Sequence, residues 1–486
     1  MADTYQLKQT RQFSPLPVDL DPNDRSPGRL TSLDAFRGFI MIVLAAHGFG
    51  FSEFAKLPED APAWKLTDYD TWQTIGHHFR HASWVTVDTD YGVAFWDLIQ
   101  PAFMFMVGVA MPLSYKRRST RGQSSLTRIL HALMRSVILV LMGVFLYSLQ
   151  NSHTNWIFTN VLAQIGLGYF FVYLLLNHTP KIQCCAIGVI LTGYWALFYF
   201  NPPPDDYDYQ SVGVKVEVDG RRNVEVFTNH MAPWSKNSNV AFRFDQWLLP
   251  QLRTPVARES NSPDTDSVPV VEPVDNDSDG EAGTIESPSS WIALLQLWFF
   301  SNQEEYTFNG GGYTTLNFVP SIATALLGVL CGQLLISCRR PHAVIVRLLF
   351  GGAICIALGL AAHATVCPIV KRIWTPSWTL FSGGCVIWML AVFYLVFDAL
   401  PLQKLAWPLQ VVGLNSLAVY LMGQLMVGWV DDKLIRIHLS GLMETAFGTQ
   451  ALQDDMFGQI IGPTSVAVVF WLLTVYMYRH RIHIRV

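Results

Sequence analysis

Charge is what this sequence has least of. Only 14% of its 486 residues are Asp, Glu, Lys or Arg, against 51% hydrophobic, whereas a soluble domain carries about 25% charged residues. That deficit excludes an ordinary soluble domain and points to a bilayer. Neither sign dominates: 33 Lys and Arg against 37 Asp and Glu leave a net charge of -4, so there is no basic surface of the kind that binds nucleic acid. Cysteine is sparse as well. Cys184, Cys185, Cys331, Cys338, Cys355, Cys367 and Cys385 fall within or at the ends of apolar runs. No CxxC or Cys/His spacing marks a zinc site, and no disulfide framework shows. These thiols read as small apolar fillers. No secretory leader is evident. The polar stretch 1–32 precedes the first apolar run, which is expected to be a retained membrane anchor.

What is abundant is long apolar runs. A spanning helix needs about 20 mostly apolar residues, and ten candidates meet that at 33–52, 92–114, 127–149, 156–176, 182–201, 313–336, 343–363, 377–397, 408–430 and 462–479. The expected fold is an all-α polytopic membrane protein. Basic residues set the orientation. Arg25 and Arg29, the run Lys116, Arg117, Arg118 and Arg121, then Lys181, Arg339, Arg340, Lys404 and the basic tail 480–486 all fall on one side if there are ten spans. That side is the cytoplasm, and both termini lie there. Spans one to five occupy 33–201 and spans six to ten occupy 313–479.

The other side carries two long loops, 53–91 and 202–312. The Val-rich beginning of the second predicts a small β-hairpin. Its acidic, Pro- and Ser-rich part 254–290 predicts disorder.

Few residues in such a chain can carry chemistry. RHASW, Arg80 to Trp84, sits at the mouth of an apolar segment, with His77, His78 and His81 within five residues. A histidine there ordinarily caps a helix or bonds a carbonyl. Asp97, a turn or two inside the second span, raises the stakes, because an ionisable residue within a span is costly. A carboxylate and an imidazole near one membrane face can act as a base and its orienter. Trp84 is expected at the lipid interface, where indole rings settle. His77 and His78 lack the carboxylate spacing of a metal site. On the opposite side, Arg128, His131 and Arg135 share one helix face. With Arg117 and Arg118 they form a basic patch suited to a ligand with several phosphates, although positive-inside charge alone also explains the loop residues. Asp34 and Arg37 are spaced to pair within one helix. The glycines of NGGGY, Asn309 to Tyr313, lack the Lys and Ser/Thr of a phosphate loop and suggest helix entry or a close backbone approach.

These residues resemble a known family. RLTSLDAFRGFIMIVL is similar to the opening of the heparan-alpha-glucosaminide N-acetyltransferase family of membrane acyltransferases, and RHASW followed by WDLIQPAFMFMVGVAMPLS is similar to its HASW segment and the helix after it. TNVLAQIGLGYFFVYLL, GGYTTLNFVPSIATALLGVLCGQLL, KRIWTPSWTLFSGG and VVGLNSLAVYL continue the likeness in the family's order. The resemblance implies transfer of acetyl from cytosolic acetyl-CoA to a glucosamine amine on the far side of the membrane, with the active histidine at His81 and the helix aspartate at Asp97. The acetyl-CoA would rest on Arg128, Arg135, Arg117 and Arg118.

The chain also departs from the family. About ten residues join histidine to aspartate in the family and sixteen do here, an upstream asparagine is matched in distance by Asp70, and the acidic loop has no counterpart. The style is bacterial, which implies an inner-membrane location and an acceptor other than heparan. Expected partners are the lipid bilayer, an amino-sugar acceptor and a second copy of the chain, with no nucleic acid. Two other readings stay open: a proton-coupled transporter, against which stand the lack of an inverted repeat and of paired broken helices, and an O-acyltransferase of envelope polysaccharide.

Overall fold

The computed structural model describes residues 30–87, 92–120, 124–149, 151–218, 221–253, 300, 306–338, 340–400 and 402–484, with the backbone alone at 117–120, 221 and 222. Arg25, Arg29, Arg121, Arg339 and the acidic segment 254–290 lie outside the described residues. The architecture is all-α and polytopic. Among the described residues, seven helices are long and apolar enough to cross a membrane, or nine if each of two bent pairs counts as one span.

The helices, in chain order, are α1 (Thr31–Ala45), α2 (Phe51–Phe54), α3 (Tyr69–His78), α4 (Phe95–Thr120), α5 (Ser125–Ser148), α6 (Val161–Leu175), α7 (Pro180–Tyr199), α8 (Val240–Gln251), α9 (Phe318–Ser337), α10 (Pro341–Thr365), α11 (Pro376–Tyr394), α12 (Trp407–Leu414), α13 (Ser416–Leu425), α14 (Ser440–Phe447) and α15 (Gly458–Arg479). Their starts follow local chemistry. Side chains of Ser124, Asn160 and Thr375 accept the first free N–H groups of α5, α6 and α11, and Pro180, Pro341 and Pro376 stand at first-turn positions where no N–H is needed. α1 is capped from far along the chain: Asp398 accepts from Thr31 N at 3.1 Å and Ser32 N at 3.2 Å.

Without water to drive association inside a bilayer, close packing must hold the helices. α4 lies against α9 through Gly108 and Gly328, each seated on the other helix's backbone, and α1 meets α12 through Gly38 and Gly413 in the same way.

Broken helices, which the sequence does not suggest, are present. The first bent pair turns by 53° after Ala45 and the second by 63° between Gln403–Leu414 and Ser416–Leu425. The first break is a left-handed turn: His47, Gly48, Phe49 and Gly50 have φ of 45°, 63°, 57° and 72°. Nothing in the sequence marks His47 and Phe49 for that conformation, which costs non-glycine residues about 1–2 kcal/mol each. At the second break Asn415 offsets the loss of helical bonds by donating to Ile482 O and accepting from Ile484 N, both at 3.1 Å.

Part of the 202–312 loop packs over one end of the bundle. Trp84, Trp234, Tyr194, Phe198, Val370 and Ile373 form its core. The described part of the Val-rich stretch holds a two-residue antiparallel pair, Glu217–Val218 with Arg221–Arg222; its flanks are turns and irregular backbone.

Candidate active site

The end of the bundle under this cap brings together four separate stretches: the HASW loop, the first turn of α4, residues 366–375 between α10 and α11, and the glycine-rich 309–314 before α9. Asp97 is buried in the first turn of α4, 2% exposed. Its Oδ1 lies 2.8 Å from His81 Nδ1 and its Oδ2 accepts from Ala82 N at 3.1 Å. Lys371, also buried, donates to the same Oδ1 at 2.9 Å and stands 3.2 Å from His81 Nδ1. His81 and Asp97 are therefore in contact, sixteen residues apart in the chain.

Hydrogen-bonding chemistry assigns the proton on the ring. A carboxylate only accepts and an ammonium only donates. Nδ1 cannot donate to Asp97 and accept from Lys371 at once. The shorter contact, to the carboxylate, makes Nδ1 the N–H, and the lysine is then a close cation rather than a bonded partner. Nε2 is left with the lone pair. It has no hydrogen bond among the described residues, on a side chain 47% exposed.

The frame around this trio is dense. Arg372 donates to Gly311 O at 3.1 Å and Ala82 O at 3.3 Å, while its own carbonyl accepts from Asn317 Nδ2 at 2.8 Å. Thr86 N donates to Ile369 O at 2.9 Å, and Lys371 N donates to Thr86 Oγ1 at 3.2 Å. The long connection from His81 to Asp97 is thus stapled to the lysine segment. Gly312, at φ 73°, lies so close to Trp84 that a Cβ would collide with the indole; the NGGGY glycines serve close backbone approach. Beneath them Asp245 of α8 accepts from Thr315 N at 2.9 Å, and burial pushes its carboxyl up to about 6.

Several expectations change. Trp84 is not at the lipid interface. It is fully buried and donates to Trp234 O at 2.9 Å, because the loop cap encloses it. Asp70 is exposed in the first turn of α3, about 12 Å of helix from the residues that lead to His81 at ~1.5 Å per residue; the structure does not bring it to the trio. His77 is buried and its imidazole is held below its ordinary value, by burial first. His78 follows it at the end of α3 with the two rings 5.6 Å apart.

Arg128 and Arg135 stand at the far end of the bundle. Arg128 lies over the Tyr115 ring of α4 at 4.8 Å and bonds Ser125 Oγ. Arg135 lies over Tyr169 of α6 at 4.9 Å. Tyr115 follows Asp97 by 18 residues of α4, about 27 Å at ~1.5 Å per residue. Arg117 and Arg118 lie in the last turn of α4, about ten residues before Arg128 in the chain. Between the two ends, Met104, Met111, Gln164, Tyr169, Ser321 and Ala325 help line a small cavity of about 20 Å³.

Lys371, Arg372, Thr86 and Asn317 are not evident from sequence reasoning. One signal was there. Lys371 and Arg372 form a basic pair in the loop between the spans at 343–363 and 377–397, the side where the positive-inside rule expects none.

The fold and this site define an integral, polytopic membrane protein with a half-exposed histidine on a buried aspartate–lysine pair. No protein-family model matches the chain. It is 22% identical over 443 residues to the heparan-alpha-glucosaminide N-acetyltransferase of Mus musculus, and 22% identical over 455 residues to the protein of that name from Homo sapiens; each alignment covers 85% of this chain and 56% of the relative. The chain thus spans about half the length of the curated relatives it matches. This is a distant family relationship.

Proposed function

We propose that this chain moves an acetyl group from acetyl-CoA on the cytoplasmic side to the amine of a glucosamine-type sugar on the other side. One observation carries the reading: His81 Nδ1 is engaged by Asp97 at 2.8 Å, which leaves Nε2 as the basic nitrogen on a half-exposed ring. The amine attacks the thioester carbonyl, a C–N bond forms and the C–S bond breaks. Nε2 takes the amine proton and returns one to the departing thiolate. A positioned base of this kind contributes roughly 10²–10⁴ in rate. Asp97 orients the ring and offsets the charge that develops on it. A short-lived acetyl group on Nε2 would use the same geometry.

The donor reaches the site from the other end. Arg128 and Arg135, with Arg117 and Arg118 at the end of α4, suit the phosphates of acetyl-CoA at the end of the bundle opposite Asp97. The seven long spans, the two bent ones and the short α6 make ten. That count supports the reading that the basic loops and both termini face the cytoplasm and the HASW loop the outside, in a bacterial inner membrane.

The test is transfer of radiolabelled acetyl from acetyl-CoA to glucosamine by purified protein in detergent. His81→Ala should lower turnover by at least about 10²-fold and keep acetyl-CoA affinity, while His78→Ala stays near wild type. Near-normal turnover in His81→Ala would remove His81 from the mechanism.

A second reading draws on the two broken spans and the buried Asp97–Lys371 pair, features also found in ion-coupled carriers. The breaks fall in the first and ninth of ten spans, not at matching places in two halves. Sugar uptake into proteoliposomes without acetyl-CoA would favour the carrier.

A further inference from the structure

We infer that Lys371 is a positioning residue whose charge, held 3.2 Å from His81 Nδ1, sets the acid limit of the reaction by opposing protonation of the ring. The inference rests on the acyltransferase reading for its consequence, but not for its physical test.

A bare aspartate beside a histidine favours the imidazolium, because opposite charges attract. An imidazolium has no lone pair and is no base. Here the aspartate is already paired. Lys371 Nζ sits 2.9 Å from Asp97 Oδ1, both groups are nearly fully buried, and a proton added to His81 would meet a cation as well as a carboxylate. The trio is neutral while His81 is neutral and gains a net positive charge once it is protonated. The other charged and titratable groups around the ring are mostly cationic or neutral. Arg80, His77 and His78 precede it in the chain, and Arg372 reaches it only through the Ala82 carbonyl. His47 stands in the left-handed turn, whose Gly48 faces Trp96, the indole beside the His81 ring. Asp97 is the one carboxylate that a described contact brings to the ring.

Lys371 is fixed from both sides, as a positioning group must be. Its own N–H is held by Thr86 Oγ1, and the next residue is clamped by Ala82, Gly311 and Asn317. Thr86 belongs to the connection between His81 and Asp97, so that connection anchors the Lys371 backbone beside the pair.

The experiment compares wild type with Lys371→Gln, Lys371→Arg and Thr86→Val in detergent, with two readouts. The first is the pH dependence of His81 carbethoxylation by diethyl pyrocarbonate, resolved from His77 and His78 by peptide mass spectrometry; the reagent attacks only the neutral ring. The second is the pH–rate profile of acetyl transfer. In Lys371→Gln the half-maximal modification rate and the acid limb of turnover should both move to higher pH, by roughly one to two units for a neighbouring charge near a half-exposed ring. Lys371→Arg keeps the charge and should stay within about 0.3 unit of wild type on the same scale. Thr86→Val, which removes only the backbone anchor, should move in the same direction by less, and it serves if Lys371→Gln does not fold. An unchanged modification profile in both Lys371→Gln and Thr86→Val, or in Thr86→Val alone if Lys371→Gln does not fold, overturns the inference. A shifted modification profile without any wild-type acetyl transfer would uphold it and instead overturn the acyltransferase reading.

Discussion

Removing Asp97 and removing His81 should both abolish the proposed acetyl transfer, yet their effects on stability should differ widely. Asp97 is buried and holds three partners: Lys371, His81 and the Ala82 amide. Asp97→Ala leaves the Lys371 ammonium buried without an anion, a loss of about 3–5 kcal/mol. His81→Ala removes a half-exposed ring and one hydrogen bond to a carboxylate that keeps its other two partners, a loss on the order of 1–2 kcal/mol. The gap between the variants is about 2–3 kcal/mol, or roughly 30- to 150-fold in the unfolding equilibrium, by the same two costs. Adding Lys371→Met to Asp97→Ala removes the orphaned charge and should restore much of the loss. The assay is unfolding in mixed micelles titrated with SDS, followed by circular dichroism. Equal stability of the two single variants, or no recovery in the double variant, would refute the buried pair as the structural base of the site.

Three further outcomes follow from the same geometry. Gly312→Ala places a methyl at φ 73° against the Trp84 ring and should cost about 2–4 kcal/mol, from backbone strain and overpacking together; unchanged thermal stability would mean that the glycine loop does not lie on the indole. Asp245, with its carboxyl at about 6 in the folded protein against 3.8, binds its proton more tightly folded than unfolded, so its contribution is fully present below pH 3.8 and is lost as pH rises to about 6. That loss is at most about 3 kcal/mol, and in Asp245→Asn the pH dependence of the melting temperature across this window should flatten; an identical slope would clear Asp245. Arg128→Ala with Arg135→Ala should weaken acetyl-CoA binding by tenfold or so at low salt and by less at high salt, where screening over about 8–10 Å already weakens the wild type; equilibrium binding unchanged by both substitutions would leave those arginines as orientation signals alone.

How much of this was legible in the sequence depends on the range of each interaction. The long apolar helices were, seven to nine of the ten expected spans among the described residues, because an apolar run of about 20 residues states its own environment. The bends were not: the left-handed turn at His47–Gly50 includes two residues with no preference for it, and Asn415 finds its partners at Ile482 and Ile484, near the end of the chain. His81 and Asp97 stood out because they are sixteen residues apart and ionisable at the edge of apolar segments. Lys371 meets Asp97 across 274 residues, and no local pattern announces that. Trp84 was placed at the lipid interface for a similar reason. Its partner Trp234 is 150 residues away, and an indole at the end of a span is buried only if a distant loop folds over it.

The most direct measurement is a density map of the purified protein in lipid nanodiscs with acetyl-CoA. The expected map has the nucleotide at Arg128 and Arg135, the chain of the donor running along α4, and the thioester carbon within about 4 Å of the His81 Nε2 position, a reach set by near-attack geometry. A nucleotide bound on the HASW side, or a thioester that ends far from His81 with Asp97 turned away, would contradict the site.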